Sequence, residues 1–489
     1  MSVMKPLPRW ADLILLPFIN LCTAFFVCGI VVYIIGENPW EALLVMLKGA
    51  FIYPGSLGYT LYYTTNFIFT GLAVATAFHA KLFNIGGEGQ AYVGSLGILL
   101  ATALFAPFLP AVFVVLLCII CSAMVGAAWA FIPRYLQAKR GSHVVITTIM
   151  FNFLASSLMV YLLAGPLIQL GQQSPQSDLI PESAQLASFE TFLGLFGVDI
   201  ASSPLNLSFV LALLALFVFW VLIWKTRLGY EIRAVGKNQD AANYAGINVP
   251  KIIIITMTIS GAFAGLLAVN EVMGVQHRAI LNFTAGYGFT GIAVALMGRN
   301  HPVGIFFASL LFGALFQGGA ELDFEFQSIT RDMVLLIQGM IILFSGALAY
   351  MFNPALSKVF SRITKHGAND DCFCAMAGIF SERSGIVDIS LEGKLLSGAF
   401  VAATIASLTG SVWLGLIGAI SASVLMSLLH GFACITHRGD QVVSGVAINF
   451  LASGLTVILG IAIFKRGGQT PTLSSGERFR PIELWFVDA

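Results

Sequence analysis

Apolar runs close to the length of a membrane span follow one another along almost the whole chain. They lie at 12–35, 59–80, 91–109, 110–131, 143–165, 206–224, 251–274, 284–298, 303–320 and 333–352, then at 389–408, 412–434 and 442–464. About 20 residues of helix cross the hydrocarbon core of a bilayer, and a spanning segment must satisfy its backbone polar groups internally. The runs therefore predict an all-α, polytopic integral membrane protein with about ten spans and about three more from a second set. Charged residues make up 10% of the chain, against roughly 25% in a soluble domain. The net charge of +1 offers nothing to nucleic acid or another polyanion. Lys5 and Arg9 precede a first run too long to read as a cleaved leader, so it reads as the first membrane helix.

Charge placement orients the runs. Arg134, Lys139 and Arg140 fall in one connection, Lys225, Arg227, Arg233, Lys237 and Lys251 in another, and Lys358, Arg362 and Lys365 in a third. Residues 166–205 carry Asp178, Glu182, Glu190 and Asp199 and no Lys or Arg. Basic loops stay in the cytoplasm. With a cytoplasmic N-terminus, ten spans put all three basic connections inside and the acidic one outside. After His366 the order weakens: Cys372–Phe380 is too short to span and reads as a re-entrant or interfacial piece. The polar tail 465–489 reads as external and loosely ordered.

Two related units share the chain. Asn152-Phe-Leu-Ala-Ser-Ser-Leu158 recurs as Asn449-Phe-Leu-Ala-Ser-Gly-Leu455, preceded by Arg140-Gly141 and Arg438-Gly439 respectively. Upstream, Leu82-Phe-Asn-Ile-Gly-Gly-Glu88-Gly89-Gln90 pairs with Ile386-Val-Asp-Ile-Ser-Leu-Glu392-Gly393-Lys394. Self-similarity of this kind organises everything else.

Few residues carry chemistry. Ile85-Gly-Gly-Glu-Gly89 sits between two spans, where a glutamate near hydrocarbon costs roughly 2.5–3.5 kcal/mol unless sheltered. Glu88 and its counterpart Glu392 thus mark either a helix break beside a translocation path or a surface helix cap. No G-x-x-x-x-G-K-[ST] occurs, which excludes ATP binding by that route. Asn152 and Asn449 lie in apolar helices, where an amide bonds a neighbouring helix or a polar substrate; interhelical bonding is the favoured reading. Glu271, followed by Gln276, His277 and Arg278, lines a path or lies at the membrane interface, and the interface is favoured. Phe67, Phe69 and Phe78 cannot be singled out among 40 Phe as a surface for a planar ring. Cys118 and Cys121 form a C-x-x-C inside an apolar run and read as small core residues; Cys372 and Cys374 are uninformative. The seven His have no metal-ligand spacing. Between the sixth and seventh spans, 226–248 carries small Ala and polar residues closed by Gly246, which reads as a solvated connector with a short helix or as a segment that docks in a partner's groove.

Three ordered motifs carry a family resemblance. They are Phe83-Asn-Ile-Gly-Gly-Glu-Gly-Gln90, the loop Thr226-Arg-Leu-Gly-Tyr-Glu-Ile-Arg-Ala-Val-Gly-Lys-Asn-Gln-Asp-Ala-Ala-Asn-Tyr-Ala-Gly-Ile-Asn248, and Gly286-Tyr-Gly-Phe-Thr-Gly-Ile-Ala-Val-Ala-Leu-Met-Gly-Arg-Asn-His-Pro302. Together they resemble the permease subunits of bacterial ABC importers, in the branched-chain amino acid/ribose permease superfamily, and most closely its nucleoside-type members linked to a BMP lipoprotein. The resemblance implies that 226–248 holds a coupling helix for a separate ABC ATPase, with Gly229, Arg233, Ala234, Gly236, Asp240, Ala241, Ala242, Ala245 and Gly246 at that contact. It implies no covalent chemistry and no cofactor on this chain, with ATP on the partner subunit. It also implies a second permease subunit, a substrate-binding lipoprotein or periplasmic protein, and the bacterial cytoplasmic (inner) membrane as the site of action. Asn84, Glu88, Asn152 and Glu271 are the candidates for the translocation path.

On the same resemblance, residues 1–353 form a complete permease, 354–371 a cytoplasmic linker, and 372–489 part of a second permease without opening spans or a coupling loop. A fusion of two permease genes, fully, partly or not functional, accounts for that arrangement. Sugar or branched-chain amino acid transport is the alternative within the superfamily. A secondary transporter is the alternative outside it, and would need ionisable groups buried in mid-span, of which only Glu88 and Glu271 qualify.

Overall fold

The computed structural model describes residues 16–140, 144–169, 171, 174–194, 197, 201–326, 329, single positions between 334 and 343, 390–437, 439, 441–464 and 470. Most of the run at 333–352, the linker 354–371, Cys372–Phe380 and nearly all of the tail 465–489 lie outside them.

Helices dominate, as the bilayer requires. They are α1 (Leu16–Ile35), α2 (Pro39–Phe51), α3 (Ser56–His79), α4 (Gly87–Phe105), α5 (Ala111–Arg140), α6 (Val144–Ala164), α7 (Phe189–Gly194), α8 (Ser208–Lys225), α9 (Arg227–Lys237), α10 (Gln239–Tyr244) and α11 (Val249–Gly265). After a π-helical stretch at Val269–Gln276 come α12 (Tyr287–Met297) and α13 (Pro302–Glu325). The later part of the chain gives α14 (Leu391–Thr409), α15 (Val412–Gly431), which runs into a π turn at Phe432–Thr436, and α16 (Gln441–Phe464).

Seven of the described segments are long and apolar enough to cross a membrane: α5, α6, α8, α11 with the π stretch, α13, α15 with its π turn, and α16. The bent pair α1–α2 makes an eighth. Four expected spans fall outside these eight: 91–109 folds as α4 and 389–408 as α14, and two others differ in kind. The run 284–298 folds as α12, whose 11 residues rise about 16 Å, half of a bilayer core. The run 59–80 becomes α3, which is long enough at 24 residues but carries Thr60, Thr64, Thr65, Asn66, Thr70 and Thr76, all buried. Its polarity is turned inward, so α3 is a central helix of the fold.

The chain divides into two compact units, Leu44–Glu321 and Met1–Leu43 with Leu322–Ala489. Within the first, α11 packs along α5, α4 along α5, and α12 and α11 against α3. Small residues make the α5–α11 crossing possible. A Cβ on Gly126 would sit 2.5 Å from Gly261 O and 2.9 Å from Gly265 Cα, while Ser122 Oγ donates to Gly265 O at 2.8 Å. Without a hydrophobic force between helices in lipid, such backbone approach and interhelical bonds supply the association. Cys118, at the same helix, is buried beside Ile98 O as a small core residue. In the second unit α14 packs on α15 and α16.

Candidate functional site

The Gly-rich break between α3 and α4 is a closed hydrogen-bond knot. Asn84 Nδ2 donates to Gln90 Oε1 and to Ser260 Oγ, both at 2.7 Å, while Asn84 Oδ1 accepts from Gly86 N and Gln90 Nε2. Ser260 Oγ donates onward to Ala73 O at 2.6 Å. Glu88 reaches across to the start of α12: its Oε1 accepts from Gly286 N at 2.9 Å and its Oε2 from Gly288 N at 2.7 Å. The carboxylate thus caps the N-terminus of a helix other than its own, where free N–H groups and the helix dipole favour negative charge. The geometry contains a cap made between two helices, with Glu88 itself half-buried.

Asn152 fastens the same break from α6. Its Oδ1 accepts from Gly89 N at 2.9 Å and its Nδ2 donates to Ile85 O at 2.9 Å. A Cβ on Gly89 would meet Asn152 Oδ1 at 2.9 Å, so glycine is required for the approach. The second unit repeats the arrangement: Asn449 Oδ1 accepts from Gly393 N at 2.8 Å, and a Cβ there would lie 2.9 Å from Asn449 Cα. Asn84, Glu88 and Asn152 therefore come together as one structural knot.

Glu271 stands apart from them and lies inside the protein. The π stretch carries it inward, leaving the residue 2% exposed. Its Oε1 accepts from Tyr62 Oη and from Asn66 Nδ2, both at 2.6 Å. Asn66 Oδ1 accepts from Asn270 Nδ2 at 2.8 Å, and Asn270 Oδ1 accepts from Asn206 Nδ2 at 2.9 Å and Ser208 Oγ at 2.7 Å. A chain of buried amides thus links α8, the π stretch and α3, satisfying groups that are costly when left unpaired. Tyr62 also opens an aromatic cluster. Its ring centroid is 5.0 Å from that of Tyr63, which lies 5.7 Å from Phe316 and 6.4 Å from Tyr287. Phe67 packs edge-on to Tyr287 at 5.5 Å and to Phe316 at 5.0 Å. Tyr62, Asn66, Asn206, Ser208 and Asn270 were not candidates from sequence. The available signal was polar side chains inside apolar runs, above all the pair Asn270-Glu271.

The connection 226–248 folds into two short capped helices. Thr226 Oγ1 accepts from Gly229 N at 3.0 Å to start α9, Asn238 Oδ1 from Ala241 N at 2.9 Å to start α10, and Asn248 Oδ1 from Lys251 N at 3.1 Å to start α11. Inward-facing residues are Gly229, Ile232, Val235 and Gly236 on α9 and Ala242 on α10. A Cβ at Gly229 would strike the carbonyls of Leu222 and Ile223, and one at Gly236 the carbonyl of His79. Arg233, half-buried like Ala234, donates from Nε to Gly229 O at 3.3 Å. Asp240, Ala241, Ala245 and Gly246 are exposed, as is Tyr244 at 97%. The segment therefore has an anchored face and a presented face. Among the described residues no group of His, Cys, Asp and Glu is placed to hold a metal.

The family described as "Branched-chain amino acid transport system / permease component" matches residues 56–346 and again 372–486. The chain belongs to that permease family. It is a multi-pass membrane permease of the ABC-importer class, and the second match places another stretch of the same family after residue 371. It is 36% identical over 361 residues to a guanosine ABC transporter permease protein of Bacillus subtilis, NupP, covering 73% of this chain and 98% of that protein. A glucose ABC transporter permease protein of Haloferax volcanii, TsgB13, is 34% identical over 67% of this chain and 86% of its own length. A nucleoside ABC transporter permease protein of Lactococcus lactis, NupB, is 35% identical over 68% and 90%. No solved structure matches the chain.

Proposed function

We propose that this permease imports nucleosides across the bacterial cytoplasmic membrane, driven by ATP bound and hydrolysed on a separate ATPase subunit. The observation that carries the substrate class is the match to the guanosine permease over 98% of its length, joined by the nucleoside permease of Lactococcus. In this reading the N-terminus and α9–α10 face the cytoplasm, where Lys225, Arg227, Arg233 and Lys237 cluster. The presented face of α10, with Asp240, Ala241, Ala245 and Gly246, docks on the ATPase. The anchored face, through Gly229, Gly236 and Ala242, carries its motion to α8 and α3. A substrate-binding lipoprotein delivers the nucleoside to the opposite side, and the path runs past the Glu271 cluster, not through the Asn84–Glu88–Asn152 knot, whose polar groups are already engaged. Residues 1–353 act as one permease, 354–371 as a linker, and 372–489 as part of a second permease. The complete second permease and its coupling helix come from another subunit. Haloferax TsgB13 supports the rival reading, a sugar.

The test is uptake by vesicles holding the full chain with its ATPase, second permease and lipoprotein. ATP-dependent entry of tritiated guanosine or inosine, uncompeted by excess glucose, is the expected result. Entry of glucose alone would reject the nucleoside assignment, and uptake indifferent to ATP would reject the coupling.

A further inference from the structure

Where α4 ends, an open groove of about 560 Å³ separates that helix from the connection that follows α6. Leu99, Thr102, Ala103 and the capping Ala106 form one wall, spaced i, i+3, i+4 and i+7 and so on one face. Residues 166–168 and 177–181 form the other. Backbone pairing fixes that second wall: Ser177 N donates to Ala279 O at 3.0 Å and Ile180 N to His277 O at 2.8 Å. All of these residues belong to the unit Leu44–Glu321. The groove is reachable, since Ala103, Pro166, Asp178, Leu179 and Pro181 are exposed.

Its polar lining is Thr102, Ser177 and Asp178. Two of these are spent within the protein. Thr102 Oγ1 donates to Leu99 O at 2.8 Å, while Ser177 Oγ donates to Asp178 O at 2.9 Å and accepts from Ala279 N at 2.9 Å. The Asp178 carboxylate takes no hydrogen bond or ion pair among the described residues. A ligand therefore meets an apolar trough with one free anion at its rim.

Charge places the connection 166–205 outside, and the end of α4 lies with it, because α5 runs back from there to Arg134 and Arg140. One position round α4 from the groove, Leu100 and Leu104 are 54% and 53% exposed, and Phe108 beyond them is 82% exposed. Such side chains on a membrane helix meet lipid tails, which are as apolar as they are. The groove thus opens beside the outer leaflet. From Leu99 to Ala106 the helix rises about 10 Å, the third of the hydrocarbon core nearest the headgroups.

We propose that this groove binds the upper acyl chain of an outer-leaflet phospholipid whose headgroup ends in a primary ammonium, paired with Asp178. The trough takes hydrocarbon and the carboxylate takes the cation. An anionic headgroup is disfavoured, because Asp178, Glu182 and Glu190 stand in a stretch without Lys or Arg. Arg278, on the paired strand, is turned to Gln169 Oε1 at 3.1 Å. A partner protein's lysine would suit the carboxylate but leave the trough beside the lipid unfilled. None of this depends on what the permease imports.

The full chain, purified in detergent and stripped of native lipid, is titrated with dioleoyl phosphatidylethanolamine and with dioleoyl phosphatidylglycerol. Retained lipid is read by native mass spectrometry; the tails are identical, so any preference belongs to the headgroup. Wild type should hold one phosphatidylethanolamine about fivefold more tightly than phosphatidylglycerol, the size of an exposed ion pair. Asp178→Asn should keep both lipids and lose the preference. Ala103→Trp, at an exposed position, should fill the trough and shed the retained molecule of either kind. Equal retention by wild type would overturn the headgroup assignment, as would a preference that survives Asp178→Asn. Unchanged retention in Ala103→Trp would put the lipid elsewhere and overturn the site. Retention of neither lipid by wild type would overturn the lipid and leave the groove to a protein partner.

Discussion

The pair Asn152–Gly89 and its copy Asn449–Gly393 turn a run of letters into one repeated physical device: an amide on a spanning helix that takes the backbone N–H of a glycine in the first turn of a neighbouring helix. The repeat was visible as Asn-Phe-Leu-Ala-Ser; what the asparagine does with it was not, because the partner lies 63 residues away in one unit and 56 in the other. Asn152→Ala leaves both Gly89 N and Ile85 O without their partner, each costing roughly 1–3 kcal/mol when buried. The variant should therefore melt several degrees below wild type in detergent, by intrinsic fluorescence, while still inserting; an unshifted melting curve would mean that water replaces the amide. Glu88 makes a complementary case. Both of its oxygens accept backbone N–H groups, so Glu88→Gln must turn its NH2 against either Gly286 N or Gly288 N. Loss of a charge-assisted bond of about 1.5–3 kcal/mol is expected, again read as a lower melting temperature. Were Glu88 a group of the path instead, the same substitution would lower uptake and leave melting untouched.

At the scale of elements, the spans were legible because the bilayer leaves so few alternatives, and α1, α5, α6, α8, α13, α15 and α16 sit close to where the apolar runs put them. α2 was not, since 13 residues with Glu41 and Lys48 look like a connection. Nor were the π stretch at Val269–Gln276 and the shortness of α12, which depend on packing and not on local preference. The Glu271 cluster escaped for the same reason: Tyr62 and Glu271 are 209 residues apart, and only the fold brings α3, α8 and the π stretch to one point. The connection 226–248 was legible as a helical segment but not as two helices with opposite duties. That division predicts a separation of effects. Gly236→Val forces a side chain into the carbonyl of His79 and should lower both melting temperature and transport. Tyr244→Ala, or Ala241→Arg, changes only the presented face and should leave melting within a degree while reducing nucleoside-dependent ATP hydrolysis severalfold. If the exposed substitutions left ATP turnover intact, α10 would not be the docking element.

The whole molecule joins a compact unit, Leu44–Glu321, to a second one in which Met1–Leu43 and Leu322–Ala489 fall together. The family match divides the chain elsewhere, at 56–346 and 372–486. α1 precedes the first matched stretch, and its packing partners include Ile337, whose carbonyl lies 3.8 Å from Cys28 Sγ. A chain ending at residue 371 keeps that contact and every hydrogen bond of the break, the Glu271 cluster and α9–α10, all of which lie between Tyr62 and Gly288. Deleting 372–489 should therefore leave a protease-resistant fragment covering 44–321 and a melting transition close to that of the full chain. Transport is the sensitive readout of what the second stretch contributes. With an intact second permease supplied on another subunit, the shortened chain should still support nucleoside uptake. Should it insert and melt normally yet transport nothing under those conditions, residues 372–489 would be a working part of the importer, and the assignment of the second coupling helix to another subunit would need to be redrawn around them.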